Sequence, residues 1–173
     1  KLCAKRPRDL NLQMAVGESV GVLPLTVIGD TGLSTLVESI ASKHEPLGYA
    51  SKRIEVQVAP LAQLWNEHVP TGQDVHFLKV DVEGAEKAVL AGNNWQRCRP
   101  WITVVESTLP LEEVESYGAW EPILLAADYQ FAYADGLNRY YIAVEHADLI
   151  SSFRYPPNVF DGFILRVQSE AET

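Results

Sequence analysis

The sequence predicts an α/β fold with a mostly parallel sheet and an antiparallel hairpin near its C-terminal end, and three observations carry that prediction. Residues 75–82, VHFLKVDV, are apolar and β-branched too continuously for a strand with one wet face. This places them as a central strand covered on both sides. Gly84 then breaks the run, Ala85, Val89 and Leu90 recur at helical spacing, and Gly92 and Asn93 stop the helix before Pro100 and a second apolar run at 101–105 that ends on Glu106. A right-handed crossover sets the two strands parallel and side by side. Finally, 131–134 and 140–144 read as strands joined across Asp135-Gly136-Leu137-Asn138, a hairpin with a four-residue loop.

The remaining elements follow in chain order. Residues 1–9 are polar and basic, and 10–16 read as a strand ending at Gly17. Residues 22–28 read as a short strand or hairpin arm that Pro24 confines to a sheet edge. A loop at 29–34 leads to a helical turn or more at 36–40, and 43–51, with Pro46 and Gly48, read as a polar loop suited to a flap. Residues 53–58 alternate as a strand, after which Pro60 opens a helix through Leu61, Leu64 and Trp65 to about His68, closed by Pro70 and Gly72. Residues 111–129 have helical apolar spacing, split in two by Gly118 and Pro122. Residues 153–163, with Tyr155, Pro156, Pro157, Asn158, Phe160 and Asp161, read as a rigid proline turn whose aromatics pack back on the sheet or, alternatively, as a substrate-side wall, and the chain beyond Val167 is expected to fray. With no repeat and no composition break, residues 1–173 read as one domain large enough to bury a core.

A net charge of −9 argues against nucleic acid, whose phosphates require a basic face. Cys3 and Cys98 stand in no metal-ligand or C-x-x-C spacing, so a disulfide framework is excluded, and Cys98 between Arg97 and Arg99 reads as a partly exposed thiol. The four histidines show no metal-binding spacing either. No apolar run has membrane length and no signal peptide is visible, so a cytoplasmic protein is expected.

Strand alternation puts Lys79, Asp81 and Glu83 on one side of the chain, with Glu106 ending the neighbouring strand. Open α/β sheets bind ligands in the crevice beyond such strand ends. Burying a lysine and a carboxylate there is costly unless they pair or take part in chemistry, which marks Asp81 as a functional candidate. Glu86 needs no chemistry, because a carboxylate at a helix N-terminus is worth about 0.3–1 kcal/mol by itself. Asp81-Val82-Glu83 also matches the acidic D-x-E pair by which a metal-dependent glycosyltransferase holds a nucleotide sugar, although such pairs lead into loops and here Gly84 opens a helix. A catalytically silent interaction domain of the same fold is a third reading.

The segment FLKVDVEGAEKAVLAG followed by P-x-x-x-x-VE, with AVGE at 15–18, GLSTL at 32–36, YADGLNRYYIAVE at 133–145 and PPNVFDGF at 156–163, resembles the FkbM-type methyltransferases. These are a branch of the Rossmann-like, S-adenosylmethionine-dependent class I methyltransferases. The resemblance implies S-adenosylmethionine as cofactor and a small-molecule or glycan acceptor, methylated on a hydroxyl of a sugar, glycan or secondary metabolite. It implies that Val16 and Gly17 end the third strand of the sheet near the cofactor's adenine, and that Asp81 lies closest to methyl and acceptor. Glu83 and Glu106 join Asp81 as catalytic residues, and Asn138 and Arg139 become acceptor contacts. The three carboxylates are hard ligands of a kind Mg²⁺ accepts, but a metal site is not expected. The family's glycine-rich loop and acidic second-strand end have no counterpart, since nine residues precede Leu10 and the chain starts at Lys1. The expectation is therefore that two βα units lie upstream, that the N-terminal strands of the sheet are missing here, and that the inner edge of the central strand is open to association, including homo-oligomerisation.

Overall fold

The computed structural model describes residues 2–29, 34–44, 51–109, 114–162 and 164. After a helical turn α1 (Leu2–Lys5), three strands form one sheet: β1 (Ala15–Gly17), β2 (Gly21–Ile28) and, beyond helix α2 (Glu38–His44), β3 (Ser51–Pro60). β3 lies in the middle, parallel to β1 and antiparallel to β2 along an eight-residue ladder from Gly21↔Val58 to Ile28↔Ser51. β2 is an edge strand, and Pro24, which has no N–H to donate, is tolerated there. The strand expected over 10–16 contracts to Ala15–Gly17, because Leu10 and Leu12 are exposed and no strand pairs with them among the described residues. Helix α2 starts at Glu38 rather than 36, since the Thr35 hydroxyl accepts the Val37 N–H and holds 35–37 in a turn.

Pro60 caps α3 (Leu61–His68) as its fixed φ suggests. Next come β4 (Phe77–Val80), α4 (Glu86–Ala91), β5 (Ile102–Glu106), α5 (Glu121–Ala126), β6 (Tyr129–Ala134) and β7 (Asn138–Ala143). The second sheet has the order β4-β5-β7-β6, with β4 and β5 parallel in the register Phe77↔Ile102 to Val80↔Val105. β7 runs antiparallel to both of its neighbours.

Several expectations change. The sheets are mixed, not mostly parallel: among the described strands two pairings are parallel and three antiparallel. The reason is that β2 folds back on β3 and β7 inserts beside β5. β4 lies at the sheet's edge, its inner side unpaired among the described strands as expected, but it is not covered on both faces: its burial alternates, with Leu78 and Val80 facing in while Phe77 is 65% exposed. A continuous apolar run implies two covered faces only if something covers the second. The hairpin loop has three residues, Asp135 to Leu137, turned by Gly136 at φ 97° while Asp135 Oδ1 accepts the Leu137 and Asn138 N–H groups. The segment 111–129 does split at Gly118 and Pro122, into a 3₁₀ turn at Tyr117–Ala119 and α5, but Tyr129 already belongs to β6. In the tail Phe153 meets Tyr140 at 5.7 Å, whereas Tyr155 and Phe160 stay exposed. A capping box between Asn158 and Asp161 closes that turn on itself and leaves Phe160 outside. Residues 45–50, most of the expected flap, lie outside the described residues.

The core sits where α4 and α5 cover one face of the second sheet. Leu90, Val105, Leu124 and Tyr141 are fully buried around Trp120, which meets Tyr141 edge-on at 5.7 Å. Each such apolar side chain contributes about 1.5–3 kcal/mol. Cys98, expected to be partly exposed, is 1% exposed, and burial pushes its thiol up, which makes it inert at neutral pH. The two sheets meet where α4 packs on β1, and the contact is close enough that a Cβ on Gly92 would lie 2.1 Å from the Gly17 carbonyl oxygen.

Candidate active site at the ends of β4 and β5

Beyond Val80 the chain turns sharply, with Glu83 at φ 51° and Gly84 at φ 94°. A glutamate in the left-handed region is strained by about 1–3 kcal/mol and persists only when its surroundings hold it. Three residues do so. Glu86 Oε1 accepts the Val82 and Gly84 N–H groups at 3.3 and 3.0 Å, Thr35 Oγ1 donates to the Glu83 carbonyl at 2.8 Å, and Ile40 closes over Gly84 so that any Cβ there would lie 2.1 Å from its Cδ1. Glu86, 4% exposed, is thus the structural residue its place at a helix N-terminus suggests.

The turn brings the expected acids together. Asp81, Glu83 and Glu106 each place a carboxylate oxygen within 4.8 Å of the others. Glu106, the last residue of β5, is 7% exposed, and no hydrogen bond reaches its buried Oε2. Burial, and then the negative charges of Asp81 and Glu83, push its carboxyl up to about 7. Glu83 is raised for the same reasons, burial first and then Asp81.

Lys79 Nζ lies 3.1 Å from Asp81 Oδ2 and donates to Asn138 Oδ1. Lys79 and Asp81 have side chains 36% and 44% exposed, so the burial cost expected for them does not arise, and the pair is worth about 0–1 kcal/mol. Asn138 stands opposite Glu106 in the β5–β7 register, and its Nδ2 donates to Asp135 Oδ2 at 3.1 Å. Asp135 also accepts the Tyr140 hydroxyl at 2.9 Å. Burial raises the Asp135 carboxyl, but the Asn138 and Leu137 N–H groups outweigh it and hold the group at about 2.

Arg139 does not join this group. Its Nη2 donates to Glu121 Oε1 at 3.0 Å and its Nε to the Tyr141 hydroxyl at 2.9 Å, and the guanidinium lies 3.7 Å from the Tyr117 ring centre and 4.2 Å from that of Phe131. With 14% of its side chain exposed, it fastens β7 to α5. Val16 and Gly17 stand apart from the acids, lining a cavity of about 470 Å³ that includes Leu36, Val58, Ala88 and Gly84, the residue after Glu83. The supporting residues Thr35 and Ile40 could not be recognised from the sequence, being more than 40 positions from the turn they hold. Asp135 had a local signal, the Asp-Gly pair of a tight turn.

Among the described residues no helix is long and apolar enough to cross a membrane. No curated protein and no solved structure matches the chain. Residues 1–131 match the family model of the methyltransferase FkbM domain, which takes in β1 to β5 and all three converging acids. The chain belongs to the FkbM methyltransferase domain family.

Proposed function

We propose that the chain acts as a Rossmann-like, S-adenosylmethionine-dependent O-methyltransferase on a hydroxyl of a sugar, glycan or secondary metabolite. The observation that carries this reading is the convergence of Asp81, Glu83 and Glu106 beyond two adjacent parallel strand ends. That is the place where sheets of this class hold ligands. The cavity beside Val16 and Gly17 fits part of the cofactor, because its volume is in the usual range for ligand pockets and its walls are mainly apolar, as a nucleobase requires. When bound, S-adenosylmethionine supplies a methyl group on a sulfonium, which departs as a neutral thioether.

The chain's own groups then have two tasks, to orient the acceptor hydroxyl and to take its proton. Asp81 is the accessible carboxylate of the three and takes the proton, with Lys79 fixing its orientation from 3.1 Å. Glu83 and Glu106 bound the acceptor on the protein side. Asn138, held by Lys79 and Asp135, offers polar contact to a hydroxyl-rich acceptor. Arg139 supports that position through β7. In this reading the protein is cytoplasmic and takes no nucleic acid.

Asp81→Asn tests the assignment. Turnover is expected to fall about 100-fold, the scale for losing a positioned acid or base, with cofactor affinity unchanged. An Asp81→Asn enzyme that turns over normally removes Asp81 from the chemistry.

A further inference from the structure

We propose that Asp81, Glu83 and Glu106 bind a divalent cation of the hard, oxygen-seeking class, Ca²⁺, Mn²⁺ or Mg²⁺. The inference rests on the same site as the methyl transfer proposed above, but ion binding can be measured without turnover. Carboxylate clusters are common on protein surfaces and signify little alone. This one has a second feature. Glu106 is more than nine-tenths buried, its Oε2 has no hydrogen-bond partner, and its carboxylate belongs to the converging set. A buried oxygen without a partner is costly, and its polar neighbour Asp81 is another carboxylate, which has no proton to donate when both are ionised.

Charge and size agree with a divalent ion. Among the described residues Lys79 is the cation in ion-pair contact with the cluster, and it touches Asp81 alone. When all three carboxylates are ionised, the state in which they would ligate an ion, one positive charge leaves two negative charges uncompensated. Glu86 adds none that is free, since its carboxylate is taken up by the Val82 and Gly84 amides. Three oxygens within 4.8 Å of one another lie at most about 2.8 Å from a common centre, so Ca²⁺ with bonds of about 2.3–2.6 Å is reached with little inward movement, whereas Mg²⁺ at about 2.0–2.1 Å draws them in further. Asp81 is partly exposed, so the ion would keep open positions for water or the acceptor hydroxyl, whose proton it would make easier to remove.

The test is direct titration of the full chain, stripped with chelator, with Mn²⁺ followed by water-proton relaxation and Ca²⁺ or Mg²⁺ as competitor. The expected result is one site, weakened at least tenfold in Glu106→Gln and in the more exposed Asp81→Asn, with Glu38→Gln on α2 as an unaffected control. No binding at millimolar ion, or binding equal in wild type and both variants, overturns the proposal. So does an infrared band of a protonated carboxyl that persists at neutral pH with Mn²⁺ present and vanishes in Glu106→Gln, because the carboxylates would then share a proton instead. Ion binding without methyl transfer would count against the methyltransferase reading alone, and full transfer in chelator against the ion site alone.

Discussion

Replacing Gly92 by alanine is expected to destabilise the protein by about 2 kcal/mol, although the backbone there would accept alanine. Gly92 has φ −76° and ψ 3°, which alanine adopts without strain. On conformational grounds the change should stabilise by about 0.4–1 kcal/mol, by restricting the unfolded chain. The obstacle lies across the interface. The new Cβ would stand 2.1 Å from the Gly17 carbonyl oxygen, 3.1 Å from the Gly17 carbonyl carbon and 3.2 Å from Glu18 Cα. All three are backbone atoms, so no side chain can rotate away, and α4 and β1 must separate by roughly 1 Å to restore van der Waals distance. Overpacking of this kind costs about 1–3 kcal/mol, and the upper part of that range applies when backbone must move. The shift also disturbs the Ala62 N–H bond to the Gly92 carbonyl, which ties α3 to the end of α4. Urea denaturation with an unchanged m-value should report the loss, with a melting temperature lower by roughly 4–8 °C. Because Gly17 lines the cavity assigned to the cofactor, affinity for S-adenosylmethionine should fall as well. A Gly92→Ala protein as stable as the parent would refute the close approach of β1 and α4.

Two further predictions follow from the hairpin and its surroundings. Arg139→Met should cost about 1–3 kcal/mol by leaving the partly buried Glu121 carboxylate with only the Tyr141 hydroxyl as donor, and Arg139→Met combined with Glu121→Leu should recover much of that loss; thermal denaturation checks both, and a single variant as stable as the parent would show that the pair does not fasten β7 to α5. Asp135 and Glu145 are both held at about 2, Asp135 by N–H groups that outweigh its burial and Glu145 by Arg99, so they stabilise the fold above the ordinary carboxylate range and lose that contribution as pH falls from about 4.5 towards 2. Asp135→Asn and Glu145→Gln should therefore flatten the acid limb of a stability–pH curve, and an acid limb parallel to that of the parent would contradict the assignment.

The β4-α4-β5 unit and the final hairpin were legible in the sequence because their signals are local. Apolar runs, the break at Gly84, the stop at Gly92, Pro100 and the Asp135-Gly136 pair each act within a few residues, and the handedness of crossovers then orders the two strands. The same rules brought Asp81, Glu83 and Glu106 to adjacent strand ends without any knowledge of tertiary contacts. Sheet composition was not legible, since pairing is decided between segments far apart. The β2–β3 ladder and the insertion of β7 beside β5 made the sheets mixed, and the strand expected at 10–16 shortened where it had no partner.

Asn138 and Arg139 show the boundary most clearly. Alternation along β7 requires that the two side chains point to opposite faces, but it is silent about which face meets the acids. The register Glu106↔Asn138 sends Asn138 to the site, and the position of α5 captures Arg139 for Glu121. The isolation of Glu106 Oε2 is likewise a tertiary fact, produced when β5, β7 and the Glu83 turn close around one carboxylate. Residue type and spacing reach through the chain only as far as a helix turn or a strand repeat, whereas burial and charge balance depend on every group that packing brings within a few ångströms.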